Sequence, residues 1–243
     1  MNTLTKNINK YGGEVTALHR GTGVKNVGGD AARNGYVDEY IRLFDDIRDN
    51  KINFLEIGIF QGRSLAMWSD YFSNGKIYGI DIDSTEFELV YPELLEMGAF
   101  ENDNLHEVIQ GDTTDSAILN WNNGSVFKTE SRFSVIIDDG DHTHLGQLAT
   151  FKNFFPLLEP GGFYIIEDIA SPDSYSGHRW HSKRGSKDLK SSLWNLVTSG
   201  PYGRKNELYN IDSVTPLICV SGDAAQAGYK GAGMIVVRKE ENK

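Results

Sequence analysis

The chain has 243 residues, 39% of them hydrophobic and 24% charged, and a formal net charge of −10. That length suits one α/β domain with a sizeable core, and an anionic surface argues against nonspecific binding to nucleic acid or anionic membrane, both of which need a cationic face. One cysteine, Cys219, flanked by Ile218 and Val220, leaves no intrachain disulfide; it fits a reducing, cytoplasmic setting and reads as a buried structural thiol rather than a nucleophile.

The opening "MNTLTKNINK" has no apolar core of a signal peptide, and no long apolar run follows elsewhere; neither a leader nor a transmembrane helix is expected. Residues 1–33 are rich in Gly, Asn and Thr and read as an irregular arm or lid ahead of a domain at 34–243. From Tyr36 the pattern turns helical: Val37, Tyr40, Ile41, Phe44 and Ile47 fall at steps of three and four. Strand and helix signals then alternate. "INFLEIG" (Ile52–Gly58) predicts a first strand, "RSLAMWSDYF" (Arg63–Phe72) a helix, and "KIYGIDI" (Lys76–Ile82) a second strand. "LHEVIQGD" (Leu105–Asp112) and "RFSVIIDD" (Arg132–Asp139) predict a third and fourth. "HLGQLATFKNFF" (His144–Phe155) is helical, Pro160-Gly161-Gly162 is a stop, and "FYIIEDI" (Phe163–Ile169) is a fifth strand. A helix near Ser186–Val197 precedes two terminal strands, Thr215–Ser221 and Gly233–Lys239. Alternating strands and helices predict a mostly parallel sheet covered on both faces, and the two last strands an antiparallel pair at one edge.

In such sheets ligands sit at the carboxyl ends of the strands, so the residues just after each strand carry the information. The first strand runs into Glu56-Ile57-Gly58-Ile59-Phe60-Gln61-Gly62. Phe60 occupies the middle glycine position of the dinucleotide fingerprint, where a backbone must approach a pyrophosphate; this argues against NAD and for a ligand without a diphosphate. The plain alternative is a βα turn with two glycines. Asp81 ends the second strand, 25 residues beyond Glu56, the spacing of an acid that accepts both ribose hydroxyls; a helix cap or solvated turn is the other reading. Asp112, after the third strand, is placed to read an adenine amino group.

Together these motifs resemble the class I S-adenosylmethionine-dependent methyltransferases over roughly Ile52 to Gly162. The resemblance implies a Rossmann-like, seven-stranded sheet. It implies Glu56 within the glycine-loop motif, Gly58, Gly62 and Ser64 beside the methionine part of S-adenosylmethionine, Asp81 on the ribose and Asp112 near the adenine.

The fourth strand ends "VIIDDGDHTHLGQ" and the fifth "IIEDI". Neighbouring parallel strands bring the two acidic pairs together, and Asp139, Glu167 and Asp168 would form an oxygen cage suited to Mg²⁺ rather than Zn²⁺; solvated carboxylates on two loops are the alternative. "IDDGDH", "PGG" and "IIEDI", with "NKYG", "LEIGIFQGRSLAMW" and "IYGIDID" upstream, are similar to the macrocin and mycinamicin sugar O-methyltransferases. That resemblance implies metal-dependent methylation of a hydroxyl on a sugar or glycosylated natural product. By it, Asp139, Glu167 and Asp168 are metal ligands, His142 is the general base, and the chain assembles into a homo-oligomer through its arm.

The sequence departs from that family's D-D-G-S-H motif at Asp141, which replaces Ser; a carboxylate facing the imidazole would favour the imidazolium. His144 is expected to face elsewhere. His19 and the stretch "SGHRWHSKR" (Ser176–Arg184), an aromatic among cations, could grip a sugar or an anionic acceptor or be a solvated basic loop. Two rival readings keep the fold without methyl transfer: a relative of the cephalosporin hydroxylase component, and a cofactor-binding module that acts on a partner.

Overall fold

A computed structural model of the chain describes residues 10–11, 36–120, 132–169, 211–219 and 232–241. The expected helix at 186–197, His19, the 176–184 stretch and the side chains of His144 and Cys219 lie outside the described residues.

Helix α1 (Tyr36–Phe44) buries Tyr36, Tyr40 and Phe44, spaced four apart so that they stack on one face; Asp38 and Glu39 in its first turn complement the positive end of the helix dipole. Strand β1 (Asn53–Ile57), helix α2 (Arg63–Tyr71), strand β2 (Lys76–Asp81), helix α3 (Thr85–Glu96) and strand β3 (Leu105–Gln110) follow. Then come β4 (Phe133–Asp138), α4 (His144–Phe154), β5 (Leu158–Ile169), β6 (Ile211–Cys219) and β7 (Ala232–Lys239).

The seven strands form one sheet in the order β3-β2-β1-β4-β5-β7-β6. Strands β1 to β5 run parallel to one another, and β7 lies antiparallel between β5 and β6. The two-residue period of a strand divides the core between the faces of this sheet. Phe54, Ile77, Val135, Ile137 and Ile165 pack with Tyr40, Phe44, Trp68 and Phe72 of α1, α2 and the residue after α2. Leu55, Tyr78, Ile136, Tyr164 and Ile166 pack on the other face with Phe151 and Phe154 of α4. The fold is the class I methyltransferase fold expected from the sequence, with helices on both faces and the antiparallel pair at one edge.

Two elements differ from expectation. Residues 85–96, left unassigned in the sequence, form α3. Phe87, Val90, Tyr91 and Leu94 fall at steps of three and four and pack on the core, but Leu89 and Leu95 face solvent and Pro92 sits inside the helix, which blurs the pattern. Strand β5 begins at Leu158 rather than Phe163, because the Pro-Gly-Gly segment is a bulge inside the strand: the register with β4 jumps from Phe133–Leu158 to Val135–Phe163.

Lys10 and Tyr11 lie against α2. The Tyr11 hydroxyl donates to Asp70 (2.8 Å) and to the Gly98 carbonyl (3.0 Å), and the ring is fully buried in the core.

Candidate active site at the carboxyl ends of the strands

The strand order reverses between β1 and β4, which opens a crevice where their loops diverge. A cavity of about 570 Å³ lies there, lined among others by Gly58, Phe60, Asp81, Asp112, Asp139, His142 and Asp168. Its backbone is tied beyond the last strand residues: Gly58 N–H donates to the Ile80 carbonyl (2.8 Å), Asp139 N–H to Ile57 (2.8 Å) and Gly111 N–H to Asp81 (2.7 Å).

Gly58 is the tightest point. Its φ is +85°, and a Cβ there would lie 2.3 Å from the Asp139 carbonyl oxygen and 2.8 Å from Gly140 Cα. The glycine loop and the acidic loop are therefore pressed backbone to backbone. Gly62 has φ +72° and caps α2; its missing Cβ is filled by the ring of Phe87. Between them Phe60 also adopts a left-handed φ of 45°, a conformation that costs a residue with a Cβ roughly 1–2 kcal/mol. Its amide donates to the Asp81 carboxylate (2.8 Å), which helps hold this turn. The other Asp81 oxygen accepts from Asp83 N–H (3.1 Å). Each oxygen keeps a further lone pair, so Asp81 can still receive a diol. Asp112 accepts from the amide (2.9 Å) and hydroxyl (2.7 Å) of Thr114, and these bonds hold its carboxyl below the usual range. The Ser64 hydroxyl is buried with no hydrogen-bond partner. Glu56 is buried on β1, behind the lining of the cavity.

The acidic ends of β4 and β5 divide by face. Asp139, His142 and Asp168 each offer one ligand atom, and these atoms lie within 4.8 Å of one another. His142 Nδ1 is buried without a hydrogen-bond partner, which costs free energy unless something fills its lone pair or takes its proton. Glu167 is not one of these three. Its carboxylate accepts a hydrogen bond from the buried Tyr40 hydroxyl, and its carbonyl accepts from Gln147 Nε2 (3.1 Å). Asp168 follows at φ 50°, and its Oδ1 accepts from the Tyr36 hydroxyl (3.1 Å). Burial and the neighbouring carboxylates push both tyrosine hydroxyls far above their ordinary range, so they remain protonated donors. Sequence reasoning missed this pair. The available signal was tyrosine, rather than phenylalanine or leucine, at two buried positions of one helix, since a buried phenol needs a partner.

Asp138 points the other way from Asp139. It is 1% exposed, receives the Tyr164 hydroxyl (3.2 Å), and burial raises its carboxyl to about 7. Asp141 does not reach across the cavity. It accepts from the amide (2.8 Å) and hydroxyl (3.1 Å) of Thr143, and its Oδ2 occupies the space that a Cβ at Gly146 would need. It thus braces the first turn of α4, which Thr143 caps.

Two carboxylates in this spacing suit a divalent cation, with the His142 imidazole beside them.

Residues 55–169 match the sequence profile described as a methyltransferase domain. The chain is 32% identical over 142 residues to mycinamicin VI 2''-O-methyltransferase of Micromonospora griseorubida, covering 55% of this chain and 31% of that protein. It is 30% identical over 163 residues to demethylmacrocin O-methyltransferase of Streptomyces fradiae, covering 64% and 37%. Among solved structures it resembles the MycE methyltransferase from the mycinamycin biosynthetic pathway in complex with Mg and SAH, with a TM-score of 0.57 and 26% identity over 85% of this chain and 49% of that one. The matches span about a third of the length of these curated relatives.

Proposed function

With residues 55–169 a methyltransferase domain, we propose that the chain is an S-adenosylmethionine-dependent O-methyltransferase that methylates a sugar hydroxyl of a glycosylated small molecule, with Mg²⁺ at Asp139 and Asp168. The observation that carries this reading is the grouping of Asp139, His142 and Asp168 within 4.8 Å on the wall of a cavity beside the glycine loop. The likeness to sugar O-methyltransferases supplies the substrate class.

In this reading Asp81 holds the ribose hydroxyls of the methyl donor, the turn from Gly58 to Gly62 lies beside its methionine part, and Asp112 lies at the adenine. Bound Mg²⁺ would lower the pKa of the acceptor hydroxyl and favour a vicinal diol, which chelates a hard cation. His142 takes the proton of the acceptor hydroxyl. As the acceptor oxygen bonds to the methyl carbon, the carbon–sulfur bond of the sulfonium breaks. The products are a methyl ether, S-adenosylhomocysteine and an imidazolium at His142. Holding acceptor and methyl in line contributes through orientation alone. Glu167, expected as a third ligand, supports the site from behind Asp168 in this proposal.

The test is methyl transfer from S-adenosylmethionine to a panel of glycosides, run beside Mn²⁺ titration of H142A and D139A. Both variants are expected to lose turnover while still binding S-adenosylhomocysteine. Only D139A should lose the metal, because a base can be removed without emptying the site. Normal turnover by either variant would sink the scheme.

A further inference from the structure

We propose that Tyr36 and Tyr40 are positioning residues, Tyr36 holding the ligand Asp168 and Tyr40 the Glu167 behind it, which makes helix α1 part of the metal site. This rests on the reading that Asp139 and Asp168 bind a divalent ion.

Tyr36 touches Asp168 twice. Its hydroxyl donates to Oδ1 (3.1 Å) and accepts from the Asp168 amide (3.3 Å). One phenol therefore fixes both the side chain and the left-handed backbone of that residue, whose φ is 50°. Tyr40, one turn on, donates to Glu167 Oε1. Two consecutive acids on a strand would normally point to opposite faces; the turn at Asp168 lets a single helix reach both.

The donors are themselves held. The Tyr40 ring stacks on Phe44 (5.6 Å between centroids) and meets Trp68 edge-on (5.0 Å), and Tyr36 meets Tyr40 edge-on (6.3 Å). Both rings are buried. Their rotamer freedom is lost when the core packs, before any ion arrives. An outer donor that fixes a ligand carboxylate raises affinity by sparing that reorganisation.

The experiment measures Mn²⁺ binding by the full chain, by calorimetry and by the electron paramagnetic resonance signal of free Mn²⁺. The variants are Y36F, Y40F and Y36F/Y40F, with F44L and D139N as controls. Removing both hydroxyls should weaken Mn²⁺ binding by about tenfold or more, and S-adenosylhomocysteine affinity measured in EDTA should stay at the wild-type value. F44L disturbs the same helix face but its residue offers no donor; it should lower thermal stability and keep wild-type Mn²⁺ affinity. Wild-type affinity in the double variant, with binding abolished by D139N, overturns the tyrosine role and leaves the cation site standing. Equal losses in F44L and the tyrosine variants overturn it too, assigning the effect to packing. If the wild-type chain shows no saturable Mn²⁺ binding, both the site and the clamp fall.

Discussion

Asp138 and Asp139 share a peptide bond and have opposite environments. Asp139 lines the cavity, whereas Asp138 is enclosed with Tyr164 and the Gly140 amide. Burial raises the Asp138 carboxyl to about 7, above its ordinary value near 3.9 in an unfolded chain. The folded state then holds a proton that the unfolded state has lost. The resulting stability is complete below the unfolded pKa and disappears as pH rises through about 7, at a slope of up to roughly 1.4 kcal/mol per pH unit. D138N, neutral and of the same shape, should escape that decline. In EDTA, its melting temperature relative to wild type is expected to climb between about pH 5 and pH 8; parallel curves would show that Asp138 does not titrate there. The sequence offered half of this contrast. Strand alternation allows two neighbouring acids to part, but which one faces the cavity depends on the register with β5, where Asp138 pairs with Ile166. Asp141 was unreadable for a related reason: whether it faces His142 or the start of α4 is set by one loop rotamer, and it sits against Gly146.

Among the elements, the strands were legible because they are short apolar runs ending at acids and glycines. Helix α3 is harder to read: Phe87, Val90, Tyr91 and Leu94 carry its stripe, but exposed Leu89 and Leu95 and the internal Pro92 mask it. The glycine loop was legible as a pattern, whereas the neighbour that fills the Cβ position of Gly58 was not. Gly58 reads as room for a cofactor, yet its Cβ position is filled by the backbone of Asp139 and Gly140. Backbone cannot swing aside as a side chain can. G58A should therefore displace the Asp139 loop, on top of roughly 1–2 kcal/mol for a Cβ in the left-handed region. The Cβ of G62A would instead meet the ring of Phe87 at 2.3 Å, away from the acids. Mn²⁺ affinity should fall strongly in G58A and little in G62A, with both variants less thermostable. Equal Mn²⁺ affinity in the two variants would refute the coupling of the two loops.

At the scale of the molecule, the group of Asp139, His142 and Asp168 joins the ends of β4 and β5, and α1 reaches it through the Tyr36 hydroxyl. These pieces are separated by as many as 132 residues in sequence and come together only in the finished sheet. The alternation of strands and helices implied that sheet, but the pattern alone could not place β1 beside β4. A site that exists only in the folded state stabilises that state when filled, by about 2.7 kcal/mol at a hundredfold excess over Kd. The chain carries a net charge of −10, so added salt also stabilises it by screening self-repulsion. The two effects separate in one comparison. Mg²⁺ should raise the melting temperature of the wild-type chain beyond KCl of equal ionic strength. D139N and D168N should respond to Mg²⁺ only as they respond to KCl, because they retain the diffuse charge and lose the site. If wild type and variants shift alike, Mg²⁺ acts on the charge of the whole surface and not at the ends of β4 and β5.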